Sequence, residues 1–264
     1  MKVSEIIKIL DQIAPPGYAL NWDNPGLLAG RSDRDVNCIY IALDATEQAI
    51  EEALAFGAQL LVTHHPMIFS PVKKINDMDF IGKRILTLIE NHISYFAMHT
   101  NFDVSAMGAL AAGRLGLTET SVLEVTVPAD PMGGEGPLGI GCVGQLPETM
   151  TLKACGEWVK KAFDIPTVKI YGDLNARVSR AAVCPGSGKH MTAPALKNQC
   201  DVLITGDIDH HEGIDANSQN MLIIDGGHHG IEHIFVDYLS ACLLEKLPGI
   251  RIEKEGNRPP FTVI

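Results

Sequence analysis

The chain has 264 residues, 46% of them apolar, and a formal net charge of −11 at pH 7. That length suits one large α/β domain or two modest ones, with enough apolar content for a sizeable core. The acidity argues against nucleic acid as the main partner, because phosphate contacts draw on lysine and arginine. No apolar run reaches the ~18 residues of a membrane span, so no membrane partner is expected.

Residues 1–10 (MKVSEIIKIL) predict a helix and lack the long apolar stretch and cleavage site of a signal peptide. Residues 37–43 (NCIYIAL) predict a short strand, and residues 46–56 a helix stopped by Gly57. Residues 59–63 (QLLVT) predict a strand running straight into His64-His65-Pro66. A helix over 80–92 and a strand over 93–98 (ISYFAM) follow, then His99-Thr100-Asn101-Phe102-Asp103 and an alanine-rich helix over 106–115. This alternation implies a mainly parallel sheet with helices on its faces. Residues 128–144 hold six glycines and three prolines and read as a loop leading into a short strand. They are taken as the join between an N-terminal α/β half, 1–127, and a C-terminal α/β half, 145–264. The second half predicts helices over 152–163, 193–199 and 231–247, and strands over 167–171, 180–184, 201–205 and 221–225. The six cysteines are widely spaced with no Cys-x-x-Cys pair, so thiolate metal sites are not expected. Reduced thiols and a cytoplasmic location are the simplest expectation.

Eight of the ten histidines fall in four short clusters, each after a predicted strand. They are His64-His65, His99, His210-His211, and His228-His229 with His233. Open α/β sheets bind ligands beyond the carboxyl ends of their strands, where all four clusters sit. Imidazole and carboxylate are donors that zinc, iron and manganese accept. Each cluster also has a structural reading. His64-His65 could be one buried and one exposed histidine, and Asp103 could be the N-cap of the helix beyond it. Glu232 could favour the positive end of a helix, although that leaves three histidines unexplained. Both His228/Glu232 and His229/His233 have the four-residue spacing that shares a helix face. The run Gly206-Asp207-Ile208-Asp209-His210-His211 could supply a ligand, a base or only a surface loop. Trp22-Asp23-Asn24-Pro25-Gly26 could wall a substrate or be a turn under one tryptophan. Gly186-Ser187-Gly188-Lys189 lacks the full phosphate-loop pattern.

Taken together, Trp22-Asp23-Asn24-x-Gly26-Leu27-x-x-Gly30, Thr63-His64-His65-Pro66, His99-Thr100-Asn101-x-Asp103, Gly186-Ser187-Gly188, Thr205-Gly206-Asp207 and Gly227-His228-x-x-x-Glu232 carry a resemblance. In this order they resemble the GTP cyclohydrolase 1 type 2-like family, the NGG-interacting-factor-three-like dinuclear metal proteins, nearly end to end. The chain departs from many members at Leu20, where an acidic residue is common, and at His229, where tyrosine is. The resemblance implies two α/β halves with a metal site between them at strand carboxyl ends. It implies two divalent ions per chain, held by His64, His65, Asp103, His228 and Glu232. It places His99 and His211 near the metals as candidate catalytic groups, and it implies a homohexamer without the central domain inserted in longer members. The expected function is metal-dependent hydrolysis, with GTP ring opening and formate release as the family's chemistry. The alternative is a metal-binding regulatory or metal-delivery protein without turnover.

Overall fold

A computed structural model describes residues 1–129 and 136–263. Among these residues the strands are, in chain order, β1 (Gly26–Ala29), β2 (Cys38–Ala42), β3 (Leu60–Thr63), β4 (Ser94–Ala97), β5 (Thr118–Val127) and β6 (Leu138–Thr151). They continue as β7 (Lys169–Tyr171), β8 (Arg177–Ser187), β9 (Val202–Gly206), β10 (Leu222–Asp225) and β11 (Arg251–Lys254). The chain divides into two compact units. The first is Met1–Ser105 with Phe235–Asn257, and the second is Ala106–Ile234 with Arg258–Ile264. The expected division at residues 127 and 145 therefore differs from the compact units. Contacts leave the first unit earlier, and a C-terminal segment returns to it. Residues 130–135 of the expected join lie outside the described residues.

The first unit is built on a five-stranded sheet in the order β1-β4-β3-β2-β11. Its two central pairings, β4/β3 and β3/β2, follow from the sequence pattern: β2, β3 and β4 are buried along their whole lengths, as strands covered on both faces must be. The pairs β4/β3, β3/β2 and β2/β11 are parallel, and only β1 runs antiparallel, against β4. Helix Glu47–Phe56 begins where the Thr46 side chain accepts from the Ala49 amide at 3.0 Å, and it ends on Gly57 in the left-handed conformation. Its Ala49, Ile50 and Ala53 pack with Tyr40, Leu61, Leu88 and Tyr95 in one core cluster. Apolar runs and caps made these elements legible. The strand β11 was not legible, because RIEK is polar and half-exposed at best.

The second unit carries a six-stranded sheet in the order β5-β6-β8-β9-β10-β7. Here β8, β9 and β10 run parallel, while β5/β6, β6/β8 and β10/β7 are antiparallel. The two-half α/β expectation holds, but this sheet is mixed rather than mainly parallel. The difference arises in the glycine-rich stretch. Residues 138–144, expected mostly as loop, form the start of the long strand β6. Its glycines serve close approach: a Cβ on Gly139 would run into the Glu124 carbonyl on β5. Strands β3, β4, β9 and β10 end in the loops that carry the histidine clusters.

Candidate metal centre

In the first unit, β3 runs out at Thr63 and the chain turns through His64 and His65. The turn is locked from behind. The Thr63 and Tyr95 hydroxyls lie 2.8 and 2.9 Å from the His65 carbonyl oxygen, and the Tyr95 oxygen also accepts from the Met67 amide at 2.8 Å. Burial pushes the Tyr95 phenol up to about 12, so it stays a hydroxyl. The His65 amide donates to the Leu43 carbonyl at 3.0 Å. The two side chains then part company, as neighbours at a strand end do. His64 is fully buried with Nδ1 2.7 Å from the Met98 carbonyl oxygen, and His65 has Nδ1 2.9 Å from Asp44 Oδ1.

His99, just after β4, repeats the arrangement. Its Nδ1 lies 2.7 Å from Asp23 Oδ1. The Asp23 carboxylate is itself fully buried and also accepts from the Thr100 amide and hydroxyl and from the Asn24 amide. Burial alone would push the Asp23 carboxyl up, but the hydrogen bonds from His99 and Thr100 outweigh it and hold it down at about 2. His64, His65 and His99 each offer a ligand atom, and these atoms lie within 4.8 Å of one another.

The helix after His99 starts earlier than expected. It runs Thr100–Phe102, passes through a π-helical turn at Asp103–Met107, and continues as Gly108–Leu115. Asp103 therefore lies inside helical backbone and is not an N-cap. Its Oδ1 reaches to 3.5 Å from His64 Nε2. Inserted π turns re-aim side chains and recur at functional positions.

In the second unit, β10 ends on Asp225, whose buried carboxylate accepts from the Gly227 and Ile208 amides and pairs with Lys169 Nζ at 2.6 Å. It fixes the loops after β9 and β10 together. The short helix His228–Glu232 follows. His228 Nδ1 lies 2.8 Å from Asp207 Oδ2, and its Nε2 lies 2.8 Å from Glu232 Oε2. Both four-residue pairs of the sequence are realised, since the His229 and His233 rings also stack, 5.1 Å apart. Gly186, next to the last residue of β8, forms a cradle beneath the pair. Its φ is +77°, and a Cβ there would run into Glu232 Oε1. His211 is exposed on the first turn of helix His210–Ser218, beside a cleft of about 390 Å³ shared with Lys189, His190, Glu212 and Asp215.

A sequence profile of the Duf34/NIF3 (NGG1p interacting factor 3) family matches residues 1–256. The chain belongs to this family. It is 34% identical over its whole length to a protein from Clostridium acetobutylicum named "GTP cyclohydrolase 1 type 2 homolog", covering 95% of that protein. It is 32% identical over 98% of its length to a Clostridium perfringens protein of the same name, again covering 98% of it. Among solved structures, a Bacillus cereus protein related to NIF3 superposes with a TM-score of 0.92 at 26% identity, covering all of this chain and 99% of that one.

The donors of this NIF3-family chain fit divalent metals. They are imidazole nitrogens and carboxylate oxygens with no thiolate among them. Four of the histidines, His64, His65, His99 and His228, have Nδ1 against an oxygen: Met98, Asp44, Asp23 and Asp207 respectively. This is how metal-binding histidines are oriented, with the outer nitrogen fixed and Nε2 presented. Sequence reading did not single out Asp44 or Tyr95, and it gave neither Asp23 nor Asp207, both named in its motifs, a role in orienting a histidine. The signal was there for the aspartates: Asp44 and Asp207 stand one or two residues past a strand, on the same edges as the histidines. All six cysteines are reduced thiols, and five are buried. Among the described residues no helix is long and apolar enough to cross a membrane.

Proposed function

We propose that the chain is a metal-dependent hydrolase whose two divalent ions are held by His64, His65, Asp103, His228 and Glu232. The observation that supports this reading best is the shared orientation of the histidines, each held at Nδ1 by an oxygen so that Nε2 is the donor. Asp103 and Glu232 add hard oxygen donors, and a carboxylate is able to bridge two cations. Divalent ions bound there would supply Lewis-acid polarisation and lower the pKa of a water molecule. The protein's own part is to set the donors in place and to move protons. His99 carries its Nε2 next to His64 and His65, with rings 5.3 and 5.7 Å away, and the ionised Asp23 steadies the imidazole when it is protonated. His211 is the second proton carrier proposed. The relatives' name suggests GTP as substrate. Water would then attack the imidazole carbon of guanine, and ring opening and loss of formate would follow. A homohexamer in the cytoplasm completes the proposal, in line with the family resemblance.

Elemental analysis of protein purified without chelator tests the ligand set. About two ions per chain are expected, and His64→Ala with Glu232→Ala should abolish retention. Formate release from GTP, with zinc, iron or manganese supplied in turn, tests the chemistry. Asp103→Ala protein releasing formate as fast as the parent would rule out the proposed centre as its source. Metal binding without turnover would favour the regulatory or delivery reading. Light scattering at micromolar concentration tests the hexamer.

A further inference from the structure

We infer that Trp22 and Phe69 form a stacking corner for a planar heteroaromatic ring, set against the edge of His99. The choice of a purine as that ring rests on the nucleotide reading above; the corner itself rests on the following geometry. Trp22 is 58% exposed and Phe69 51% exposed, yet they face each other with ring centroids 5.7 Å apart. Both meet His99 nearly edge-on, at 6.0 and 6.4 Å and 73°. Two large apolar rings left in water are costly unless something covers them.

Their exposure is not looseness. The segment carrying Trp22 is fastened on both sides. The Leu20 amide donates to Thr100 Oγ1 at 2.9 Å, and the neighbouring Asp23 carboxylate is buried under bonds from His99 and Thr100. Asn24 Nδ2 donates to the Ile68 carbonyl at 2.6 Å, which staples this segment to the residue before Phe69. Polar bonds thus hold both rings in place while their faces stay open. Such a rigid aromatic wall beside a few oriented polar groups is what a small-molecule site needs. Base–aromatic stacking also tolerates any ring, because every base presents a π-face. A ring seated there would lie beside His99, whose own ring is 5.3 and 5.7 Å from those of His64 and His65, one imidazole away from the proposed chemistry.

The chain has two tryptophans, so Trp158→Phe leaves Trp22 as the sole emitter. Guanosine titrated into that variant should quench its fluorescence saturably, and ribose 5-phosphate should not. Adding Phe69→Ala should weaken guanosine binding by roughly tenfold, the scale of one lost stacking partner. Circular dichroism melts of each variant, run alongside, should still show a cooperative transition: Phe69 is exposed, and Trp158→Phe gives up only the 3.2 Å bond of its indole N–H to the Leu115 carbonyl. No saturable quenching up to millimolar guanosine, or equal quenching by ribose 5-phosphate, would overturn the corner. So would emission that shifts with protein concentration but not with guanosine, which would give the rings to a second copy of the chain. The readout needs no metal and no turnover. Quenching without formate release would leave the corner standing and count against hydrolysis. Formate release without quenching would do the reverse.

Discussion

At the scale of single residues, the candidate centre is organised by oxygens that are not themselves proposed ligands. Asp23 is the clearest case. Its carboxyl is held at about 2, below the ~3.9 of an unfolded aspartate. A group with a lowered folded value stabilises the fold fully above its unfolded pKa, and that contribution fades as pH falls through the folded one. Asp23→Asn should therefore cost roughly 2 kcal/mol at pH 6, and the gap to the parent should close between about pH 4 and pH 2. Urea melts of both proteins across that range test this; a gap that stays constant with pH would show that the charge of Asp23 contributes nothing. Glu232 offers a second test. Gly186→Ala puts a Cβ against Glu232 Oε1 on a backbone at φ +77°, so metal retention should fall even though no donor is removed. Elemental analysis showing full loading would mean that the cradle has room to give.

At the scale of elements, the loop between β3 and the residues after it shows how a strand end becomes a ligand platform. Tyr95 on β4 reaches across to the His65 carbonyl and the Met67 amide. Tyr95→Phe keeps the volume but strips the Met67 amide of its acceptor, and it should cost about 1–3 kcal/mol in thermal or urea melts. Unchanged stability would mean that water takes over both bonds. Much of this element structure was legible. The apolar runs of β2, β3, β4, β9 and β10 and the stop at Gly57 mark themselves in the sequence. So do the two histidine motifs at strand ends. What escaped has physical reasons. Strand β6 hides behind glycines that exist for close backbone approach. The π turn at Asp103–Met107 has no propensity signature, so a cap reading of Asp103 stood beside the ligand reading. Helix His210–Ser218 is too polar to show an apolar face, so no helix was expected there. The aspartates that orient histidines look like any loop aspartate until the strands are laid side by side.

At the scale of the whole molecule, the two units are nested rather than consecutive. The first sheet is completed only by β11, paired in parallel with β2, and Phe235 packs on Phe102 and His64 within the same unit. A fragment of residues 1–127, cut where the composition changes, should not fold cooperatively despite its apolar strands. It leaves the β2 edge unpaired and uncovers Phe102. Far-UV circular dichroism and a urea titration test this; a cooperative transition in that fragment would show that residues 235–257 are dispensable. The nesting also sets an order of events on the ribosome. The second unit is almost one continuous stretch of chain and is available to fold while the first still waits for its last strand. At roughly 5–20 residues per second, on the order of ten seconds or more separate the emergence of β4 from that of β11. Through that interval the nascent chain displays a finished but open-edged β2, a fully apolar strand seeking a partner. Slowing elongation between these two points would lengthen the exposure and favour pairing with the wrong chain, so synthesis rate, as well as sequence, governs the yield of folded protein.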